Sequence, residues 1–108
     1  MDSRLTPIVF DSDTMDWDDL KYVLAIARSG SAAAAGRAMN VNSTTVSRRL
    51  NSIEDTLGVR LFDRLHNALS PTDAGRVAVE SAERIEREIF DLDGELKASR
   101  QLTLSGPR

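Results

Sequence analysis

Apolar residues recur along this chain with the spacing of helix faces, most clearly in its middle third. There they follow one another at intervals of four, three and four residues: Val46, Leu50, Ile53 and Leu57. At about 100° per residue, this spacing places all four on one face of a helix. The opposite face carries hydroxyl, amide, carboxylate and guanidinium groups: Thr44, Ser47, Arg48, Asn51 and Asp55. We predict a helix that Asn42 caps and Gly58 ends, with its apolar face, Leu57 included, in the core.

Two shorter helices are predicted upstream of this one. The first begins after Asp16, a residue type that favours helix N-caps, and ends at Gly30. One of its faces is apolar: Trp17, Leu20, Val23, Leu24 and Ala27. The second runs over 32–39 after a capping Ser31, and its alanines leave room for a close helix neighbour. Together with the middle helix, they predict a small three-helix domain.

After the middle helix, the pattern changes to a short hairpin and then to a long helix. Residues 65–70 predict a hairpin-like turn that Pro71 closes, and Thr72 favours the N-cap of a last helix over 73–98. Apolar residues recur in this helix as a heptad-type seam: Ala78, Ala82, Ile85, Ile89, Leu92 and Leu96. A helix of about 26 residues is roughly 40 Å long and has more apolar face than a small domain covers. We expect a second copy of the chain to pair along this seam; packing on its own domain is the alternative.

The pattern divides the chain into four segments. Residues 1–15 mix proline, serine and aspartate with a short apolar patch, and we expect a disordered leader there, with an added edge strand as the alternative. Residues 16–72 form the small domain, and residues 73–98 form the linker or dimerisation helix. Residues 99–108 contain glycine and proline near their end and predict a flexible tail or a truncated hinge.

Composition narrows the chemistry. The 108 residues contain no cysteine, so disulfides, thiolate metal sites and cysteine nucleophiles are excluded. The single histidine, His66, rules out a histidine-clustered metal site and leaves little scope for general-base catalysis. The sequence contains no nucleophile–base pair and no glycine-rich phosphate loop, so we expect no enzyme activity, no cofactor and no metal. No apolar run has membrane-spanning length and the N-terminus lacks a signal pattern, which indicates the cytoplasm.

Charge is unevenly distributed along the chain. The net charge is −3, but six arginines oppose three acidic residues over 28–64, which gives this stretch +3. Residues 1–15 and 72–108 each carry −2. Phosphate contacts need a local basic patch rather than a basic whole chain, and a polar, basic helix face suits the DNA major groove. These features favour a selective DNA binder. The acidic total keeps an alternative open, a helical oligomerisation or protein-interaction module that has lost DNA binding.

Several short motifs, in their order and spacing, resemble the N-terminal domain of LysR-type transcriptional regulators. The resemblance runs from Met15 to about Leu96. The motifs that carry it are DLKYVLA from Asp19, Gly30-Ser31, Val46-Ser47-Arg48, Ile53-Glu54, LGVRLFDR from Leu57 and PTDAG from Pro71. The resemblance implies a mainly all-α winged helix-turn-helix with a short two-stranded wing and a long C-terminal dimerisation helix. Such regulators carry a further effector-binding domain, so the chain is either a DNA-binding fragment or a naturally short protein.

The resemblance also implies roles for individual residues. The helix over about 42–57 is the recognition helix, and its first turns contact base edges and nearby phosphates through Ser43, Thr44, Thr45, Ser47 and Arg48. Ser31 holds a phosphate at the start of the second helix, and Arg64 with the wing touches the backbone or the minor groove. For Arg49, DNA contact and pairing with Glu54 or an aspartate stand as equal alternatives. The implied partners are double-stranded DNA, as an interrupted palindrome, and a second copy of the chain, with no membrane.

Overall fold

Four helices and a two-stranded sheet make up residues 15–105, the part of the chain that this computed structural model describes, with side chains up to residue 100. In chain order the elements are α1 (Trp17–Ser29), α2 (Ala32–Met39), α3 (Ser43–Leu57), β1 (Phe62–Leu65), β2 (Ala68–Pro71) and α4 (Asp73–Ser105). β1 and β2 pair antiparallel and form the wing. The mainly helical winged helix-turn-helix is confirmed. Residues 1–14, where a disordered leader was predicted, and residues 106–108 lie outside the described residues.

The first two helices begin and end where the sequence predicts. Asp16 and Asp19 form a reciprocal capping box, in which each carboxylate accepts a hydrogen bond from the other residue's backbone N–H at 3.0 and 3.2 Å. Ser31 Oγ accepts a hydrogen bond from the Ala34 N–H at 3.1 Å and so caps α2. Gly30, between the two helices, has a φ of 86°, a left-handed conformation that glycine adopts without strain.

The turn between α2 and α3 is tight because Gly36 has no side chain. The Val41 backbone N–H donates to the Gly36 carbonyl at 2.9 Å, and a Cβ on Gly36 would lie only 2.7 Å from the Val41 carbonyl oxygen. Asn42 stands at the N-cap position of α3, but its side chain makes no capping hydrogen bond. The predicted N-cap is therefore correct in position and wrong in its side-chain bond.

The core is built by one face of each of the first three helices and by the start of the wing. Its largest fully buried side chains are Phe62, Ile26, Leu50, Leu61, Val23 and Val46. The prediction that Leu57 is buried was wrong, since 39% of this residue is exposed. α3 ends at Leu57, and Leu61 and Phe62 continue the core instead. Met15, which was assigned to the leader, packs against this core.

The first half of α4 packs on its own domain. Ala82 is fully buried against Leu20 and Leu24 of α1, and Ala78 packs against the main core. The small alanine side chains let α1 approach closely. The predicted intermolecular seam is therefore wrong at Ala82, and Ala78 also packs within its own chain.

The second half of α4 extends further than predicted. The helix continues to Ser105, so residues 99–105, which were expected to be a flexible tail or hinge, are helical. Between Gly94 and Gly106 the sequence contains neither glycine nor proline, the two residue types that most disfavour a helix. The absence of a helix-ending residue explains the additional turns.

Candidate nucleic-acid interface

The N-terminal half of α3 buries one face and presents the other to solvent. Val46 and Leu50 are buried in the core, which fixes the rotation of the helix about its axis. Outside the core lie the residues predicted to contact bases; all are exposed except the half-buried Thr45: Ser43, Thr44, Thr45, Ser47 and Arg48. We call these five residues the α3 front. The structure therefore brings together on one surface five of the eight residues that the sequence assigned to DNA contact.

Arg48 is the cation of the α3 front. It is exposed, and none of the described residues forms a hydrogen bond or an ion pair with its guanidinium group. All five guanidinium N–H donors are therefore available to an external acceptor. This is the environment expected of a group that contacts a phosphate or the edge of a base.

Arg49, the next residue, points to α1 instead. Its guanidinium bonds to the carboxylate of Asp18 and, at 3.2 Å, to that of Asp19, and lies 4.8 Å from the centre of the Tyr22 ring. Burial acts to lower the pKa of Arg49, but the hydrogen bonds to the two aspartates outweigh it and hold that pKa above its ordinary value. Of the two alternatives for Arg49, the structure shows the pairing with aspartates, with the guanidinium directed to α1 rather than to the α3 front.

Arg64 links the wing to α3. Its Nη2 donates to Asn51 Oδ1 at 2.9 Å and lies 3.4 Å from Glu54 Oε1, while its Nη1 donates to the Phe62 carbonyl at 3.4 Å. The sequence placed Arg64 at the DNA backbone; the structure shows its donors largely directed to its own chain. Asn51 and Glu54 were missed as its partners, because their bonds span 13 and 10 residues and leave no local spacing signal.

The wing tip lies beside α3. A groove of about 190 Å³ separates them, with Ser47 on one side and His66 and Asn67 on the other. His66 has a φ of 56°, in the left-handed region. The backbone N–H of Leu69 donates to the Gly30 carbonyl at 2.9 Å and ties the second wing strand to the turn that precedes Ser31. The wing is thus held at both strands, next to the α3 front.

The outer half of α4 carries an exposed apolar row. It consists of the last four residues of the predicted seam: Ile85, Ile89, Leu92 and Leu96. We call these four residues the α4 row. Phe90, which the seam does not include, is still more exposed, at 76%. A row of large apolar side chains on a projecting helix is typical of a surface that a partner covers.

The described residues hold neither a metal-ligand cluster nor a membrane-spanning helix. Among the side chains described, those of residues 15–100, no group of three or more is arranged to hold a metal ion. None of the helices within residues 15–105 combines the length and the apolar character needed to cross a membrane.

Solved structures with a similar fold include a domain that was crystallised with DNA. The CbnR_DBD–DNA complex superposes with a TM-score of 0.71 at 31% identity, covering 80% of this chain and 99% of that one. The BenM_DBD–benA site 1 DNA complex has a TM-score of 0.72 at 20% identity, which supports the fold alone. These neighbours share the arrangement of helices and wing described above.

Proteins related to this chain in sequence carry the names of transcriptional regulators, not of enzymes. TcbR of Pseudomonas sp. (strain P51) is 37% identical over 71 residues, which are 66% of this chain and 24% of that protein. An HTH-type regulator from the ibpB-leuC intergenic region of Azotobacter vinelandii is 36% identical over 98 residues, 84% of this chain and 67% of that protein. The chain thus spans about a quarter of TcbR. Residues 17–76 match the family described as "Bacterial regulatory helix-turn-helix protein, lysR family", and the chain belongs to this family.

Proposed function

We propose that this chain binds double-stranded DNA as the winged helix-turn-helix domain of a LysR-type transcriptional regulator, with α3 in the major groove. The observation that carries the proposal is the α3 front, an exposed hydroxyl and guanidinium surface on a helix whose other face is locked in the core. The likeness to the CbnR_DBD–DNA complex supports it. Together they favour DNA binding over an interaction module that has lost it.

Each residue of the α3 front has a role that its chemistry allows. The hydroxyls of Ser43, Thr44 and Ser47 donate to or accept from base edges and phosphates, and half-buried Thr45 contacts the nearest backbone. Arg48 offers a forked pair of donors to guanine or to a phosphate. Ser31, whose Oγ accepts the capping bond, still has its hydroxyl proton to donate to a phosphate at the start of α2.

The proposed binding unit is a homodimer on an interrupted palindrome. Two copies that pair through the α4 row place two copies of α3 in successive major grooves, on one side of the duplex. The dimer's two-fold symmetry is then matched by the symmetry of the operator. Because a regulator of this kind acts on the chromosome, we expect the protein to function in the bacterial cytoplasm.

The test compares Arg48→Ala with Arg100→Ala, a variant that removes the same charge from an exposed position near the far end of α4. The probe is a duplex that the parent protein selects from a randomised pool, and affinity is measured at several salt concentrations. We expect Arg48→Ala to weaken binding about tenfold and to reduce the salt slope by about 1. Arg100→Ala should leave both unchanged. A parent protein that selects no duplex, or an Arg48→Ala variant that binds as the parent does, contradicts the proposal.

A further inference from the structure

The side chain of Glu54 joins α3 to the wing. Its Oε2 accepts hydrogen bonds from the backbone N–H of Leu61 at 2.7 Å and of Phe62 at 3.2 Å, and its Oε1 lies 3.4 Å from Arg64 Nη2. Only 11% of the Glu54 side chain is exposed. Bonds to an ionised group in a partly desolvated setting are stronger than neutral ones, so this carboxylate holds the start of β1 firmly against the helix.

A second connection runs parallel to the first. Arg64, on β1, donates to Asn51 Oδ1 at 2.9 Å, and Asn51 lies three residues before Glu54 on α3, nearly one helical turn away. The wing is therefore fixed to α3 at two points along the helix rather than at one, which opposes rotation of the wing about the connection. We call Asn51, Glu54 and Arg64 the α3–wing latch.

We infer that Glu54 is a positioning residue for DNA binding, which sets the angle between α3 and the wing so that both meet the same duplex. This inference rests on the proposed function. Specific binding requires α3 to reach base edges while the wing meets the backbone, so it depends on that angle. Non-specific binding depends on phosphate charge alone and tolerates a misplaced wing.

Because Glu54 is negatively charged, the direction in which its substitution changes the affinity for DNA tests the inference. A carboxylate beside a DNA-binding surface repels phosphates, so its removal should strengthen binding if charge were its only effect. Asp55, the next residue, is exposed and makes no hydrogen bond or ion pair with any described residue. Asp55→Asn therefore removes the same charge without touching the latch, and serves as the matched control.

Two substitutions at Glu54 divide the latch into its parts. In Glu54→Gln, the amide oxygen can still accept from the N–H groups of Leu61 and Phe62, while the amide NH₂ faces the donors of Arg64 and breaks that connection. Glu54→Ala removes the bonds to these N–H groups as well as the contact with Arg64, and leaves the Arg64–Asn51 bond in place. Binding is measured at a temperature at which circular dichroism shows the variants to be folded. If Glu54→Ala does not fold at any suitable temperature, the test uses Glu54→Gln alone.

The experiment measures affinity for the duplex selected by the parent protein and for poly(dI-dC), at one salt concentration. We expect Glu54→Gln to lower affinity for the selected duplex about tenfold, the fold-change for one lost charge-assisted hydrogen bond. Glu54→Ala should lower it further. The affinity of both Glu54 variants for poly(dI-dC) should equal or exceed that of the parent. For Asp55→Asn, the affinity for the selected duplex and the affinity for poly(dI-dC) should likewise be equal to or higher than those of the parent.

The outcomes separate this inference from the proposed function. A Glu54→Gln variant that binds the selected duplex as tightly as Asp55→Asn overturns the inference alone. Equal losses on both probes overturn it too, because they indicate a general structural defect. A parent protein that selects no duplex overturns the proposed function and, with it, the role of Glu54. Amide hydrogen exchange adds a readout without DNA: Leu61 and Phe62 should exchange faster in Glu54→Ala and at the parental rate in Asp55→Asn.

Discussion

Arg48 and Arg49 are neighbours on α3 with different surroundings. A step of one residue rotates the side chain by about 100°, enough to move it from the exposed front to the junction with α1. Arg48 faces solvent, whereas Arg49 is 34% exposed and bonds to two carboxylates of α1 while stacking over Tyr22. Arg49 therefore holds α3 to α1, whereas Arg48 stays exposed on the α3 front.

This difference predicts unequal effects of two alanine substitutions on the free energy of unfolding. Arg49→Ala should lower the free energy of unfolding by about 1–2 kcal/mol, because it removes charge-assisted hydrogen bonds and a cation–π contact at a partly exposed site. Arg48→Ala, the matched control, should change it by less than about 0.5 kcal/mol. Urea unfolding followed by circular dichroism measures both. If Arg49→Ala were as stable as the parent and reduced the salt slope of DNA binding by about 1, Arg49 would instead be a residue that contacts DNA.

Gly75 and Gly94 of α4 differ in the space around them. A Cβ on Gly75 would overlap the carbonyl oxygen of Leu61, whereas nothing lies within 4 Å of a Cβ on Gly94. We expect Gly75→Ala to lower the free energy of unfolding by about 2 kcal/mol, because α4 must shift away from the base of the wing. Gly94→Ala should raise it by roughly 0.5–1 kcal/mol through helix propensity. Urea unfolding tests the pair, and two equal effects would show that the close approach at Leu61 is not required.

At the scale of elements, α4 is held to α1 by packing and by an ion pair. Ala82 fills the space between the helices next to Leu24, and Arg28 in the last turn of α1 donates to both carboxylate oxygens of Glu86 at 3.0 and 2.7 Å. The hydrogen bonds to Arg28 lower the pKa of Glu86 below its ordinary value, against a smaller opposing effect of desolvation. The direction in which α4 leaves the domain thus depends partly on charge.

The Arg28–Glu86 pair predicts a pH-dependent part of the stability. A carboxylate whose pKa is lowered on folding stabilises the folded state above its unfolded pKa, and this contribution is lost as the pH falls through the folded pKa. We expect the parent to be more stable than Glu86→Gln at neutral pH and the difference to disappear in acid, below the ordinary range of a glutamate. Urea unfolding at both pH values measures it. A difference that persists in acid would assign the effect to packing instead.

At the scale of the whole molecule, the projecting half of α4 makes the chain elongated, 63 × 39 × 23 Å along its principal axes. The α4 row lies on this projection, and its four side chains follow intervals of four, three and four residues. Phe90 lies about 100° around the helix from Ile89 and therefore outside the row. We expect a second copy that pairs along the row to cover these four side chains and to leave Phe90 exposed.

The row predicts a dimer that specific substitutions dissociate. Sedimentation equilibrium should give a dimer for the parent and a monomer for Ile89→Asn, which places an amide at the centre of the apolar contact. The monomer should bind the selected duplex more weakly, because it loses the gain from two linked half-sites. Phe90→Ser is the control and should stay dimeric. A monomeric parent, or dissociation by Phe90→Ser as complete as by Ile89→Asn, contradicts the assignment.

The sequence by itself determined the first three helices, the start of the fourth, the wing and the polar surface of α3. Asp16, Ser31 and Thr72 were identified as caps, and each accepts a hydrogen bond from a backbone N–H three residues later. Gly30 and Gly58 were identified as helix ends, and both adopt the left-handed conformation. Caps and apolar periodicity act between residues within four positions of each other, so a short window of sequence contains both partners of every such interaction.

Only the tertiary structure decided which helix faces are covered and where long side chains find partners. Leu57 and Ala82 both continue an apolar stripe, yet Leu57 is exposed where α3 ends and Ala82 is buried where α1 crosses α4. Arg49 bonds to residues 30 and 31 positions earlier in the chain, and Glu54 reaches ahead to the wing. Such contacts depend on where separate elements meet in space, which local spacing does not specify.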